Sequence, residues 1–316
     1  MIILITGAYG LIGHHLLNSI PKEHTIIAVS RSYRKNSSKK KNILNHTLNW
    51  DNTDDIIALL KGVDVVIHAA GIDAKLSTVS PDQAMKFNAY TTKTLVNAAV
   101  KNKIKKFIYF STVHVYKSNL TGYITENTKL NNTHPYAASK KLGEEYILNS
   151  INLKSTKLII LRLSNIISPP IIFDGNGWDL VFNDFCKQAI KNKKIEIKNN
   201  ISILRDYISI NVLSELINHI IKYTKTINQS IFNVSSGDSK TLLEVAEAVK
   251  KSCEKLYNFS PDIKFYNEKN KKKFKLKIVS ENLKELKFSI NSNFEKSLER
   301  NLKFIYTNHK NKLLKN

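Results

Sequence analysis

Short apolar runs alternate with amphipathic patterns over the first 165 residues of the chain. The runs are rich in β-branched residues and cover 2–6, 25–30, 63–68, 105–111 and 157–164. Apolar positions at helical spacing occur at 11–20, near 82–101 and from 134 onward. Because unbroken apolar strands separated by helices are typical of a parallel sheet covered on both faces, the pattern predicts a doubly wound α/β fold.

Three glycines separate the first apolar run from the first amphipathic segment, in ITGAYGLIGHHLL. The spacing of Gly7, Gly10 and Gly13 suits a tight turn, a close approach of backbone to a pyrophosphate, and close packing of helix on strand. Leu11 and Ile12 would open that helix, whose N-terminus supplies N–H donors and a positive dipole to phosphates. We therefore predict a dinucleotide-binding turn rather than a purely structural one.

The pattern changes after residue 165, where a loop punctuated by Pro and Gly, SPPIIFDGNG, begins. Helices are predicted near 178–191, 241–252 and 293–309, and a strand at 231–236. We predict a dinucleotide-binding Rossmann domain at 1–165. Residues 166–316 are expected to form mainly a smaller substrate-binding lobe, partly interleaved with the first, with some segments returning to the large sheet.

The charge is strongly positive, with 49 Lys and Arg against 26 Asp and Glu, for a formal net charge of +23. The basic residues are scattered, and no recognition helix, RNA-binding aromatic signature or zinc spacing accompanies them, so nucleic-acid binding is not predicted. Two cysteines, Cys186 and Cys253, indicate neither a disulfide framework nor a metal site. No apolar run approaches the roughly 18 residues of a membrane helix, and the start lacks the features of a signal peptide, so a cytoplasmic protein is expected.

The end of the second apolar run bears on cofactor choice. A fold of this kind that selects NAD usually places an acid there to bind the ribose, whereas here Ser30 ends the run and Arg31 follows, and then Arg34 and Lys35. The cations favour the 2′-phosphate of NADP over NAD, and the alternative is a solvated basic loop.

Further along the chain, two short segments are predicted to contact the dinucleotide. Asp51 and Asn52 are placed near the adenine, because the Asp51 carboxylate can accept from its amino group. Ala69, Ala70 and Gly71 are small enough to lie against the dinucleotide, while His68 within the preceding apolar run is interpreted as a packed core residue.

A tyrosine and a lysine stand four residues apart in HPYAASKKLGEE. On a helix, Tyr136 and Lys140 share one face, one turn apart. Such pairs also arise by chance, but beside a glycine turn the ammonium would favour a phenolate and make Tyr136 a proton-transfer catalyst.

In order along the chain, the motifs TGAYGLIG, DVVIHAAG, FSTVHVY and YAASK resemble those of the extended short-chain dehydrogenase/reductase family. The likeness extends to LRLSN and LRDYISINV and covers essentially the whole chain. Within the family, the chain is similar to the epimerases, dehydratases and ketoreductases of nucleotide-activated sugars. A homodimer is what this resemblance implies.

The resemblance also implies the roles of individual residues. Tyr136 would be the general acid/base, Lys140 would bind the nicotinamide ribose, and Thr112 would hydrogen-bond the reacting oxygen, with the neighbouring Ser111 not expected in that role. Asn88 and Leu163 match family positions near the cofactor.

On the substrate side, the resemblance implies two further contacts. Asn165 matches an asparagine that contacts the nucleotide-sugar, and Arg205 matches an arginine that binds the substrate diphosphate. A structural salt bridge is the alternative for Arg205, and Asp206 beside it is interpreted as a link to the second lobe. Trp178 and Phe182 are expected in the substrate lobe.

Val113 and His114 occupy positions that hold an Asp–Glu pair in the family's 4,6-dehydratases, so dehydration by that route is not expected. His114 has two open interpretations, a titrating group and a loop-packing residue. The chain is therefore predicted to be an NAD(P)-dependent oxidoreductase of a nucleotide-activated sugar, acting at C4 as a ketoreductase or an epimerase. The alternatives are a carbonyl reductase of a non-nucleotide substrate and a non-catalytic dinucleotide-sensing protein.

Overall fold

A computed structural model describes residues 1–31, 41–150, 156–171, 177–266 and 274–313. In these ranges the strands are β1 (Ile2–Thr6), β2 (Thr25–Ser30), β3 (Ile43–Thr47), β4 (Val65–His68), β5 (Lys106–Thr112), β6 (Gly122–Ile124), β7 (Lys157–Leu163), β8 (Asn165–Ile167), β9 (Lys194–Ile197), β10 (Leu204–Ser209), β11 (Ile231–Val234), β12 (Ser239–Thr241), β13 (Asp262–Phe265) and β14 (Leu276–Ile278). The helices are α1 (Leu11–Ser19), α2 (Thr53–Leu59), α3 (Ala74–Val79), α4 (Pro81–Met85), α5 (Thr91–Lys101), α6 (Pro135–Asn149), α7 (Val181–Asn192), α8 (Ile210–Lys222), α9 (Leu242–Tyr257) and α10 (Phe294–Leu313).

Seven strands form one parallel sheet in the order β11-β7-β5-β4-β1-β2-β3. The predicted doubly wound sheet is confirmed. The strand order reverses between β1 and β4, so a crevice opens there at the carboxyl ends of the strands, which is where ligands bind in such sheets. Strand β11 comes from the C-terminal half of the chain and returns to this sheet. The domain boundary at residue 165 stays a prediction.

Apolar cores cover both faces of the sheet, which explains why its strands have unbroken apolar runs. On one face, Leu16 and Leu17 of α1 belong to the same buried cluster as Leu216 of α8. On the other face, Leu95 of α5 and Ile147 of α6 belong to a second buried cluster. Full burial of each such side chain contributes about 1.5–3 kcal/mol.

The smaller lobe has its own core between α7, α9 and α10. Phe182, Tyr207 and Phe294 form an aromatic group in this core, with ring centroids 5.6–6.0 Å apart. Cys186 and Cys253 are buried free thiols in the same core. Phe182 is therefore a packing residue of this core.

The helix predicted near 82–101 is α4, a single π-helical segment (Lys86–Tyr90) and α5 in continuous succession. Strand β3 was not predicted, because Ile43 alone among its five residues is buried. No helix in the described part of the chain has the length and apolar character that crossing a membrane requires.

Candidate active site

The glycine turn brings β1, α1 and the loop after β4 into close contact. Gly7 has a φ of +64°, and a Cβ added to it would lie 2.7 Å from the Ala70 backbone nitrogen. A Cβ on Gly13 would lie 2.2 Å from the Gly7 carbonyl oxygen. Only glycine fits at these two positions, because the neighbouring atoms belong to backbone and cannot rotate away.

The first turn of α1 faces the crevice with free backbone donors. Gly10 is the N-cap residue and makes no side-chain cap. The first hydrogen bond within the helix runs from the His14 N–H to the Gly10 carbonyl. The N–H groups of Leu11, Ile12 and Gly13 precede it, so they have no carbonyl acceptor within the helix. This arrangement suits a phosphate, which gains both hydrogen bonds and the positive end of the helix dipole.

A cavity of about 220 Å³ lies beside this turn. Its lining is Gly7, Tyr9, Gly10, Val29, Ser30, Arg31, Trp50, Ala69, Ala70, Gly71, Ile72, Phe87 and Thr91. The lining contains six of the residues predicted to bind the cofactor. It also contains Tyr9, Trp50 and Phe87, which the sequence did not single out. The combination of a glycine turn, small residues and aromatic rings fits a dinucleotide.

The cavity wall near the end of β2 is positively charged. Arg31 follows β2, and its guanidinium carbon lies 5.9 Å from the centre of the Phe87 ring. No Asp or Glu lines this cavity within the ranges that the structure covers. Arg34 and Lys35, which were predicted to assist Arg31, lie outside the described residues.

Asp51 and Asn52 have other partners in this structure. The Asp51 carboxylate forms an ion pair with Lys86 at 2.7 Å. The Asn52 side chain caps α2 by accepting from two backbone N–H groups in its first turn. Trp50, the preceding residue, lines the cavity instead. Asn52 stands immediately before a Thr-Asp-Asp run, a pattern that signals a helix N-cap.

Tyr136, Lys140 and Thr112 come together between α6 and the end of β5. The Thr112 hydroxyl is close enough to the Tyr136 phenol to lower its pKa by hydrogen bonding, but burial has the larger, opposite effect and raises that pKa to about 12. The Lys140 ammonium donates to the Phe110 carbonyl at 3.0 Å, and burial lowers its pKa to about 8. In the protein alone, burial of the phenol therefore opposes the phenolate, and the combined effect of Lys140 and a bound nicotinamide ring stays a prediction.

Asn88 ties the loop after β4 to α6. Its side chain accepts from the Ile72 N–H at 2.7 Å and donates to the Ile72 carbonyl and the Ser139 hydroxyl, both at 3.0 Å. A Cβ added to Gly71 would lie 2.8 Å from the Asn88 oxygen and 3.1 Å from the Lys140 nitrogen. Asn88 lies in the π-helical segment, a feature often found at functional sites.

Asn165 and Arg205, the two residues predicted to contact the substrate, lie together. Arg205 Nη1 donates to Asn165 Oδ1 at 3.3 Å, and Asn165 Nδ2 donates to the Asp206 carbonyl at 2.9 Å. The Arg205 Nε is buried without a hydrogen-bond partner among the described residues, and no carboxylate of that part of the chain lies within 4.0 Å of its guanidinium. Arg205 thus forms no salt bridge with the described residues, which was the alternative interpretation of this residue.

Asp206 has a structural role. Its buried carboxylate accepts from the backbone N–H groups of Ser236 and Gly237 at 2.9 and 2.8 Å. Strand β10 is thereby tied to the segment that follows β11.

His114 is neutral in this site. Burial lowers its pKa to about 4, the positive charge of Arg205 acts in the same direction, and the nearby Asn165 amide acts against both. His114 thus does not titrate near neutral pH, although its ring can still donate or accept a hydrogen bond.

The remaining predicted positions are buried. His68 lies between the hydroxyls of Thr6 and Thr92, at 2.7 and 2.9 Å, and is a core residue as interpreted from the sequence. Leu163 is buried at the end of β7. Ser111 donates to Glu144, away from the phenol of Tyr136.

The profile of the NAD dependent epimerase/dehydratase family matches residues 3–235. The chain belongs to this family. The family expected from the sequence, and the expectation that the protein is an enzyme, are therefore confirmed.

Individual relatives agree with this assignment. The Bacillus subtilis protein named uncharacterized UDP-glucose epimerase YtcB is 27% identical over 266 residues, which is 79% of this chain and 81% of that protein. Mouse dTDP-D-glucose 4,6-dehydratase is 29% identical over 180 residues, 53% of this chain and 51% of that protein. The match thus spans about half the length of the mouse enzyme.

The fold has close counterparts among solved structures. The crystal structure of UDP-glucose 4-epimerase from Thermotoga maritima, with UDP-glucose, superposes with a TM-score of 0.82 at 21% identity. The superposition covers 98% of this chain and 99% of that one. At this identity the likeness concerns the fold.

Proposed function

We propose that this protein is a 4-epimerase of a nucleotide-activated sugar that uses a bound nicotinamide dinucleotide. One observation carries the proposal: the phosphate turn and the catalytic helix are in contact through a single short loop. That loop packs on Gly7 through Ala70 and on Lys140 through Gly71. A dinucleotide whose phosphates lie on α1 would extend from that turn toward Tyr136.

The chain's own residues supply the proton chemistry. When bound, the dinucleotide would supply reversible hydride transfer to and from the sugar carbon. Tyr136 would exchange a proton with the oxygen on that carbon, and the Thr112 hydroxyl would bind the same oxygen. Lys140 would hold the dinucleotide through its buried ammonium, which keeps donors beyond the one given to Phe110.

Arg205 supports a phosphate-bearing substrate. The Nε of its guanidinium is buried and has no hydrogen-bond partner among the described residues. Two phosphate oxygens could accept hydrogen bonds from Nε and a neighbouring nitrogen of the same guanidinium. The names of the Bacillus relative and of the Thermotoga counterpart, both UDP-glucose epimerases, support a nucleotide-sugar substrate. The Thermotoga name, which specifies a 4-epimerase, supports action at C4.

We further propose that the cofactor is NADP rather than NAD. Arg31 borders the cavity at the end of β2, and no acid lines it within the described residues. An arginine here favours a 2′-phosphate over a free ribose hydroxyl. Fluorescence titration of the wild-type protein and of Arg31→Ala with NADPH and NADH tests this. Tighter binding of NADH than of NADPH by both proteins would contradict it.

A ketoreductase of the same substrate class is the second candidate, and the same Arg31 favours it. A net reductase consumes a reduced dinucleotide and exchanges it with solvent, for which NADPH is the usual donor. Dehydration is not proposed, because Val113 cannot transfer a proton and burial keeps His114 neutral.

The test begins with the dinucleotide that copurifies with the protein, identified by mass spectrometry, followed by incubation with UDP-sugars. An epimerase interconverts C4 epimers without net consumption of the dinucleotide, whereas a reductase oxidises NADPH only when a keto-sugar is present. Tyr136→Phe should abolish turnover and leave dinucleotide affinity nearly intact. Equal turnover in both forms would remove Tyr136 from the mechanism and favour a dinucleotide-sensing role.

Arg205→Ala separates the proposal from a carbonyl reductase of a non-nucleotide substrate. A raised KM for the nucleotide-sugar is expected, and an unchanged KM would favour the alternative. A homodimer and a cytoplasmic location stay predictions.

A further inference from the structure

A buried ion pair lies beneath the catalytic helix and has no role in the proton chemistry above. The side chains of Arg162 on β7 and Glu144 on α6 are 3% and 1% exposed. Arg162 Nε donates to both Glu144 oxygens at 3.1 and 3.2 Å, and Nη2 donates to Oε2 at 2.6 Å. Because either charge alone would be buried without compensation, the pair holds α6 firmly on β7.

The Glu144 side of the pair reaches the catalytic residues. Tyr136, Lys140 and Glu144 follow one another at four-residue spacing on α6, and so lie along one face of that helix. The Glu144 carboxylate also accepts from the hydroxyl of Ser111, the residue directly before Thr112 on β5. The carboxylate therefore connects the helix that carries the phenol to the strand that carries the threonine.

The Arg162 side reaches the turn that follows Thr112. Arg162 Nη1 donates to the Tyr116 hydroxyl at 2.9 Å and to the Glu126 carbonyl at 3.2 Å. The guanidinium carbon lies 5.0 Å from the centre of the Tyr116 ring. Tyr116 is fully buried, directly follows the 3-10 turn at Val113–Val115, and donates to Asn233 Oδ1 at 2.7 Å.

We propose that Arg162 is a positioning residue, which fixes α6 and the turn after Thr112 relative to each other so that the Thr112 hydroxyl and the Tyr136 phenol meet. The inference rests on the proposed function, in which these two groups bind one reacting oxygen. They lie on separate elements, and a misplacement of about 1 Å between catalytic groups can cost roughly 100-fold in rate.

Tyr116→Phe is the variant that tests this with the smallest disturbance. It removes one buried oxygen between Arg162 and Asn233 and keeps the ring and the ion pair. Arg162→Lys retains a cation but loses the planar fork that reaches Glu144 and Tyr116 together. Tyr223→Phe is the control, because it also removes one phenol oxygen, at a position far along the chain from the site. That oxygen donates to the Glu285 carbonyl at 2.7 Å, whereas the Tyr116 oxygen accepts from Arg162 and donates to Asn233.

The expected result is a kcat lowered by roughly 10- to 100-fold in Tyr116→Phe, with KM within about threefold of the wild type. Arg162→Lys should lose at least as much, and Tyr223→Phe should change neither constant. Hydrogen exchange monitored by mass spectrometry should be faster in Tyr116→Phe at residues 113–116 and in the first turn of α6. The control should leave exchange there unchanged.

Wild-type kcat in folded Tyr116→Phe, or wild-type exchange at 113–116, would overturn the inference. Failure of the proposed function is distinguishable from this result, because it is measured as the activity of the wild-type protein. A wild-type protein that binds a dinucleotide but converts no nucleotide-sugar would count against the function, and the exchange comparison would still decide whether Arg162 orders the turn.

Discussion

Substitution of Gly13 by alanine tests, with a single methyl group, the proposal that the glycine turn binds phosphates. The added Cβ would lie 2.2 Å from the Gly7 carbonyl oxygen and 2.8 Å from the Ala8 Cα. Ordinary C···O contacts are about 3.3 Å or longer, so α1 must move away from the turn by about 1 Å. Neither neighbour can rotate away, because both are backbone atoms.

The cost of this movement has two parts. Overpacking a well-packed site costs about 1–3 kcal/mol of folding free energy. The first-turn N–H groups also move with the helix, and a hydrogen bond to a charged group contributes about 1.5–3 kcal/mol. We therefore expect dinucleotide affinity to fall by about 100-fold, equivalent to about 2.7 kcal/mol, together with a lower thermal midpoint.

Two other glycines separate binding from folding. A Cβ on Gly10 would meet only the Gly7 oxygen, at 3.2 Å, and the φ of −73° suits alanine, so Gly10→Ala should fold well. It should nonetheless bind the dinucleotide more weakly, because Gly10 lines the cavity. Gly62 has a φ of +76° and open space around it, so Gly62→Ala should cost about 1 kcal/mol of stability without a change in affinity.

The assay is fluorescence titration with NADPH, with thermal unfolding of each variant measured in parallel. If Gly13→Ala and Gly10→Ala fold and bind as the wild type does, the turn does not hold phosphates. Equal weakening by Gly62→Ala would show that lost stability, rather than the turn, explains the lower affinity.

Two further predictions concern stability. The Lys106 ammonium donates to three carbonyl oxygens at the C-terminal end of α8 at 2.6–2.9 Å, so Lys106→Met should cost about 2–3 kcal/mol in urea unfolding. Lys105→Met should cost less than about 1 kcal/mol, because Lys105 is 70% exposed in its pair with Asp64, and equal losses would contradict the reasoning. Burial lowers the pKa of His68 from 6.5 to about 3. Between pH 6.5 and about 3 the unfolded state therefore binds one more proton at this residue than the folded state does. The free energy of unfolding should fall by about 1.4 kcal/mol per pH unit as the pH is lowered through that range. His68→Gln should flatten that part of the stability profile, and an unchanged slope would be the contrary result.

The fold was predictable where the signal is local. The bounds of β1 and β2 coincide with apolar runs, and the glycine turn follows from three residues at a known spacing. Strand β3 could not be predicted from its own residues, because it lies at the sheet edge with a single buried side chain. Its pairing with β2 determines its conformation, and the residues of β3 alone do not show that pairing.

The site was predictable in part, for a similar reason. Tyr136 and Lys140 are found by helical spacing, whereas the cavity-lining role of Trp50 depends on how β3 and α2 are joined in space. The helix cap made by Asn52 and the ion pair made by Asp51 compete with the predicted cofactor contacts. The cap could have been predicted, because an asparagine before Thr-Asp-Asp is typical of a helix N-cap. Arg162 also left a signal, because a charged residue inside an apolar strand requires a buried partner.

Tyr136 and Lys140 depart from their ordinary pKa values in opposite directions for one reason. Burial disfavours each charged form, and so raises the phenol pKa to about 12 and lowers the ammonium pKa to about 8. At neutral pH the protein alone therefore presents a protonated phenol, which is an acid. It can donate a proton to a carbonyl oxygen directly, but it must lose a proton before it can accept one from a hydroxyl. The protein alone thus presents the acid that the reductive half of the proposed reaction would need. The oxidative half would need the phenolate, which the positive charge of an oxidised nicotinamide nearby would favour.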